Sequence, residues 1–196
     1  MLSSKCFDKK RFGLVVCLVF SGLFLSCQTQ EGAVSEANGQ EAGADVEKRL
    51  ADMGITLVSP EPPTANFVRA VRTGNLVFMA GHGPRKPDGG LITGKVGRDL
   101  DLEQAKEAAK YTGISILSSL KAAIGDLNKV KRVVKVHGMV NAMPDFTQHS
   151  QVMNGFSDFI VEVFGPRGKH ARAAVGMGSL PRNMAVEIEV IFEVED

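Results

Sequence analysis

The chain has 196 residues, 44% hydrophobic and 23% charged, with 23 Lys plus Arg against 22 Asp plus Glu, a balance that suits one globular domain with attachments and is too short for two large ones. A net charge of +1, no Trp and a single Tyr argue against a dedicated nucleic-acid binder, which draws on a basic surface and aromatic platforms for the bases. All three cysteines, Cys6, Cys17 and Cys27, precede residue 28, so the rest of the chain can form no disulfide, thiolate nucleophile or cysteine-held metal site.

Residues 1–27 carry Lys5, Lys9, Lys10 and Arg11 against Asp8, followed by an apolar run from Phe12 to Leu25. At about 14 residues the run falls short of the roughly 20 that a membrane span needs, and the basic-then-apolar order reads as an export signal. Leu23 to Cys27 (LFLSC) resembles a bacterial lipoprotein signal, in which Cys27 is lipidated and becomes the new N-terminus. The expected location is therefore the cell envelope, with the membrane reached through this lipid anchor or signal alone; ordinary secretion, an uncleaved anchor and a misread start are the other readings. Residues 28–45 hold Glu31, Glu36, Glu41 and Asp45 among Gly, Ala, Ser and Gln, too little apolar matter to offset the cost of ordering, and read as a flexible acidic tether.

Residues 46–196 read as one compact domain. Asn75 to Ala80 (NLVFMA) is a strand closed by the Gly81–Pro84 turn. Asp101 sits at an N-cap with Gln104 three residues on, opening a helix whose Ala105, Ala108, Ala109, Thr112, Ile116, Leu117 and Leu120 share one side until Gly125. Val130 to Val140 is β-branched and reads as a strand. A second helix is expected from Asp145, with an apolar stripe of Val152, Phe156, Phe159, Ile160 and Val163 ending at Gly165-Pro166. Ala171 to Met177 and Met184 to Val194 are the closing strands, and in the last, Val186, Ile188, Val190, Phe192 and Val194 alternate with glutamates.

The order ββαβαββ predicts an α+β fold with two helices on one face of a mixed sheet. The opposite face needs cover. Met79, Val133, Lys135 and Ile191 are assigned to it, and self-association is the expected cover.

The ordered segments Phe67–Asn75 (FVRAVRTGN), Phe78–Pro84 (FMAGHGP), Gly125–Val136 (GDLNKVKRVVKV), Met143–Phe146 (MPDF), His170–Val175 (HARAAV), Leu180–Arg182 (LPR) and Val186–Glu189 (VEIE) together resemble the RidA/YjgF family of reactive intermediate deaminases, also described as endoribonuclease L-PSP or chorismate-mutase-like domains. The resemblance covers 46–196, and the stretch from Asn154 to His170 is similar to the endoribonuclease-like subgroup. It implies a chorismate-mutase-like homotrimer with three clefts between subunits, in which enamines and imines are hydrolysed to 2-keto acids and ammonia with no metal or organic cofactor. The implied partners are small 2-imino and 2-keto carboxylates and further copies of the chain.

Residue by residue, the resemblance implies that Arg172 binds the substrate carboxylate, a task suited to a guanidinium fork that stays charged, and that Glu187 holds or activates water at the imine carbon. The alternatives from the residues alone are a surface ion pair for Arg172 and a solvated strand face for Glu187. Phe67, Ala80, Gly81, Ser150 and Ala174 match substrate-shell positions, with departures from the family pattern: Phe67 stands for Tyr, Ala80 for Ser, Ser150 for Asn and Ala174 for Cys. His82 stands for Gln, between two glycines in a turn, and is a candidate acid, base or donor; an exposed, inert histidine is its other reading. His137, His149 and His170 share no metal-binding spacing, Gly81-His82-Gly83 lacks the features of a phosphate loop, and Lys129 to Arg132 reads as a solvated strand edge. Three functions stay open: an exported enamine/imine deaminase, a non-catalytic trimer that binds small carboxylates or partner proteins, and, against the neutral charge, an endoribonuclease.

Overall fold

The computed structural model describes residues 45–196. The expected signal at 1–27, the lipidation site Cys27 and all but the last residue of the tether at 28–45 lie outside the described residues. Eight elements follow one another: α1 (Val46–Asp52), β1 (Ala70–Thr73), β2 (Leu76–Met79), α2 (Leu102–Ile124), β3 (Val130–Asn141), α3 (His149–Phe164), β4 (Ala171–Met177) and β5 (Val186–Val194). The strands form one sheet in the order β1-β2-β5-β3-β4, antiparallel throughout except for the β3–β4 pair. A parallel pair needs a crossover, and α3 supplies it.

α2 begins where the sequence places it. The Asp101 carboxylate accepts from the Gln104 N–H at 2.8 Å while the Gln104 side chain accepts from the Asp101 N–H at 3.0 Å, so each satisfies a donor the first turn would leave open. Its apolar stripe (Ile116, Leu117, Leu120) and that of α3 (Phe156, Ile160, Val163) are fully buried against Val136, Val140, Val186, Ile188 and Phe192 of the sheet. α3 starts at His149 rather than Asp145. Phe146 N–H donates to Met143 O at 3.0 Å, turning the chain at Pro144 and delaying the helix by four residues.

α1 was not expected. Asp45, the last residue assigned to the tether, caps it by accepting from Glu47 N–H at 3.0 Å, and Val46 and Leu50 are buried. Val46 N–H donates to Asn128 Oδ1 at 2.9 Å and Arg49 to Val163 O at 3.2 Å, so this short helix is tied to the loop before β3 and to the end of α3. Seven residues are too few for periodicity to reveal.

The uncovered sheet face exists, with two of its expected occupants reassigned. Lys135 and Ile191 pair across β3 and β5 on the open side, whereas Met79 and Val133 are buried in the core, 5% and 1% exposed. Between Val133↔Phe192 and Lys135↔Ile191 the register shifts by one residue, a bulge that resets which side chains point inward. In β2 it is Phe78, opposite Ile191, that faces outward and Met79 that faces the helices. Val71, Phe78 and Val175 remain exposed large apolar residues on strands.

Candidate functional site

β4 is an edge strand, and its alternation divides its side chains between two environments. Arg172, Ala174 and Gly176 point toward α3: Arg172 bonds to that helix, Ala174 packs on the core, and a Cβ on Gly176 would run into the His149 ring. Along α3, Ser150, Asn154 and Ser157 recur at i, i+4 and i+7 and so share one side of the helix.

That stripe holds the guanidinium. Arg172 Nη1 donates to Asn154 Oδ1 at 3.0 Å and to Ser157 Oγ at 2.9 Å, and Nη2 donates to the Ser150 carbonyl at 3.2 Å. All three acceptors are neutral. Among the described residues no carboxylate lies within ion-pair distance of Arg172, so its charge is oriented but not neutralised.

His170, two residues ahead, lies on the same side. Its Nδ1 is 2.6 Å from Gly168 O and its Nε2 is 3.0 Å from Ser157 Oγ, and the Phe156 ring packs edge-on against it. A carbonyl can only accept, so Nδ1 carries the proton and Nε2 accepts from the Ser157 hydroxyl. Burial, opposed by the Gly168 carbonyl and helped by the Arg172 charge, pushes the His170 pKa below the ordinary histidine value and keeps the ring neutral at pH 7.

Glu187 occupies the other face of the sheet. It lies opposite Met139 on β5, between buried Val186 and Ile188, and its carboxylate rests against the backbone of Gly81, where an added Cβ would collide with it. Desolvation, with the neighbouring charge of Glu189 second, raises its pKa above the ordinary glutamate value. Arg172 is in register with Val136 and Val190, both on the helix side. Arg172 and Glu187 therefore stand on opposite faces of one sheet, and a single chain does not bring them together.

Of the shell residues, Ser150 and Ala174 accompany Arg172, Ser150 through its backbone carbonyl and not its side chain. Ala80 and Gly81 accompany Glu187. Ala80 N–H donates to Arg69 O at 2.9 Å, extending the β1–β2 ladder by one pair, and Phe67, 49% exposed, lies two residues ahead of that pair.

His82 is a correction. Instead of offering a ring nitrogen to a cleft it is 4% exposed on the core side, with Nδ1 2.6 Å from Ala80 O and Nε2 2.8 Å from Ser119 Oγ of α2. Burial drives its pKa below the ordinary histidine value, and with both nitrogens occupied it serves to fix the Ala80 carbonyl, not to exchange protons. The sequence reading also missed Asn154 and Ser157, although their helical spacing with Ser150 was a visible signal, and it missed His170, which lies beyond α3 and has no such local pattern.

Depressions on the surface of the described residues include two. One of about 550 Å³ lies between residues 97–104 and Phe146 and Gln148; the other, about 150 Å³, lies on the open face over Phe78, Lys135, His137, Glu189 and Ile191. Neither of these is lined by Arg172 or Glu187.

Residues 58–194 match the family described as Endoribonuclease L-PSP. The chain belongs to the endoribonuclease L-PSP family. Protein TCP17 of Trypanosoma cruzi is 39% identical over 156 residues, covering 79% of this chain and 98% of that protein. A 2-iminobutanoate/2-iminopropanoate deaminase of Dermatophagoides farinae is 30% identical over 141 residues, covering 71% and 94%. The crystal structure of an Agrobacterium tumefaciens protein of unknown function is 43% identical, with a TM-score of 0.71 over 76% of this chain and 94% of that one. A Shewanella oneidensis structure, 24% identical, shares the fold with a TM-score of 0.74 over 77% and 100%. The L-PSP fold, with helices on one face of a mixed five-stranded sheet, is thus the fold expected from the resemblance to RidA/YjgF proteins.

Proposed function

We propose that this L-PSP protein hydrolyses small 2-imino acids, and the enamines in equilibrium with them, to 2-keto acids and ammonia. The observation that carries the reading is Arg172: a guanidinium fixed by three neutral acceptors, with no carboxylate of its own, is arranged to receive an anionic ligand. Glu187 supplies the second function. A half-buried carboxylate with a raised pKa can take a proton from water as the oxygen adds to the imine carbon and return it to the nitrogen, giving a carbinolamine; it can then take the hydroxyl proton and pass it to the same nitrogen, which leaves as ammonia as the C–N bond breaks and the carbon becomes a ketone. Because the two residues occupy opposite sheet faces, the site is completed by a neighbouring copy, and a trimer with the open faces packed inward supplies it. The iminopropanoate deaminase relative supports this chemistry.

The second reading, a trimer that binds keto acids without turnover, is favoured by Phe67, Ala80 and Ala174, which bring no hydroxyl or thiol to the site. We place either activity in the cell envelope, on the support of the apolar run and Leu23 to Cys27. The deciding experiment supplies the full chain with 2-iminopropanoate generated in place and follows ammonia release, with light scattering for mass. Ammonia released faster than in buffer, and lost in Glu187→Gln, is the expected result; pyruvate binding without turnover selects the second reading, and a monomeric mass removes the shared site.

A further inference from the structure

A guanidinium has five N–H donors, and three on Arg172 are taken by α3. Nη1 is saturated by Asn154 and Ser157, and one donor of Nη2 goes to the Ser150 carbonyl. What remains is the Nε–H and one Nη2–H, the number that a bidentate carboxylate uses. Which donors remain free depends on Ser157 accepting from Nη1, and a serine hydroxyl is a rotor whose hydrogen could equally turn toward the guanidinium.

We propose that His170 and Ser157 are positioning residues that lock the Arg172 fork, leaving its Nε–H and one Nη2–H to take the substrate carboxylate. The argument follows the protons. The Gly168 carbonyl at 2.6 Å requires the proton of His170 on Nδ1, so Nε2 is an acceptor; Nε2 at 3.0 Å takes the Ser157 hydroxyl hydrogen; and the Ser157 lone pairs are then turned to Nη1 at 2.9 Å. Each link thus fixes the direction of the next, and bonds aligned in one direction polarise one another.

The relay is also mechanically anchored. Gly168 is fully packed against α3, with no room for a Cβ beside the Ile160 carbonyl carbon, 2.9 Å away, and the Phe156 edge restrains the imidazole. Nothing in α3 other than Asn154, Ser157 and the Ser150 carbonyl holds Arg172. The inference rests on the carboxylate-binding reading of Arg172 but can be tested apart from it.

The test uses the full chain and its Ser157→Ala, Ser157→Thr, His170→Ala and Arg172→Ala variants. Two readouts are followed: the ¹⁵N–¹H signal of the Arg172 Nε–H, assigned by its loss in Arg172→Ala, and pyruvate titration by NMR. The lock predicts a sharp signal in wild type and Ser157→Thr, and a broadened or missing one in Ser157→Ala and His170→Ala. Pyruvate binding should weaken about tenfold in those two, the scale of one hydrogen bond to a charged group, stay near wild type in Ser157→Thr, and show no further loss when Ser157→Ala is added to Arg172→Ala. A sharp Arg172 signal with unchanged affinity in both Ser157→Ala and His170→Ala overturns the proposal, as does an equal loss in the Arg172→Ala background. If wild type fails to bind pyruvate while the signal follows the predicted pattern, the lock stands and the carboxylate reading falls.

Discussion

Gly81 offers a perturbation whose effects on stability and on chemistry should separate. Its φ is not in the left-handed region, so alanine meets no backbone penalty there. The conflict is local: a Cβ would stand 3.0 Å from Cδ and 3.2 Å from Cγ of Glu187, and closer still to Oε1. The obstructing atoms form the end of a side chain that can rotate, so relief costs about 1 kcal/mol of rotamer strain and a shift of the carboxylate by about 1 Å or more. Misplacing a reacting group by that distance costs on the order of 100-fold in rate. Gly81→Ala is therefore expected to lose about 1 kcal/mol in denaturant unfolding and about 100-fold in ammonia release. In a Glu187→Gln background the same substitution should change turnover no further. Retention of activity within about threefold would refute the placement of Glu187 in the chemistry, and a loss of more than about 3 kcal/mol of stability would show that Gly81 serves packing instead.

Arg172→Ala should weaken pyruvate binding by about 2 to 4 kcal/mol, with Arg172→Lys recovering little because an ammonium cannot reproduce the fork; calorimetric titration at constant oligomeric mass checks both. The raised pKa of Glu187 means that the folded state favours its protonated form: the stability this contributes is present at acid pH and is lost as pH rises through the raised value. Glu187→Gln should accordingly melt above wild type at pH 7 to 8, with the gap closing toward pH 4. Cys27→Ser should release the protein from the membrane fraction and remove the acyl mass, and an unchanged pellet would assign anchorage to the apolar run 12–25.

α2 and β5 were legible because their signals are local. Asp101 and Gln104 complete a capping box within four residues, and the glutamates of β5 alternate with valine, isoleucine and phenylalanine on the period of a half-buried strand. β2 carries no such contrast: Leu76-Val77-Phe78-Met79 is apolar on both faces, and only pairing with β5 decides that Phe78 looks outward. Val133 was misassigned because the bulge that sets its phase is a property of two strands. His82 shows the same limit at the site. Its burial depends on Ser119, 37 residues away on α2, and a glycine-flanked histidine is identical in sequence whether a helix covers it or not. Arg172 and Glu187 could be matched to a family pattern, yet their placement on opposite sheet faces follows from the register of β4, β3 and β5.

That placement has a genetic corollary. If each working centre takes its arginine from one subunit and its glutamate from the next, lesions in the two halves belong to different complementation groups within one gene. Arg172→Ala and Glu187→Gln chains, each inactive alone, should on co-expression assemble into mixed trimers in which about one centre in three draws an intact residue from each parent, or about a quarter of all centres once unmixed trimers are counted, as random assortment around a closed ring requires. Dilution below the assembly constant would then silence wild type without unfolding it, so abundance would set not just how many catalysts are present but whether any exist.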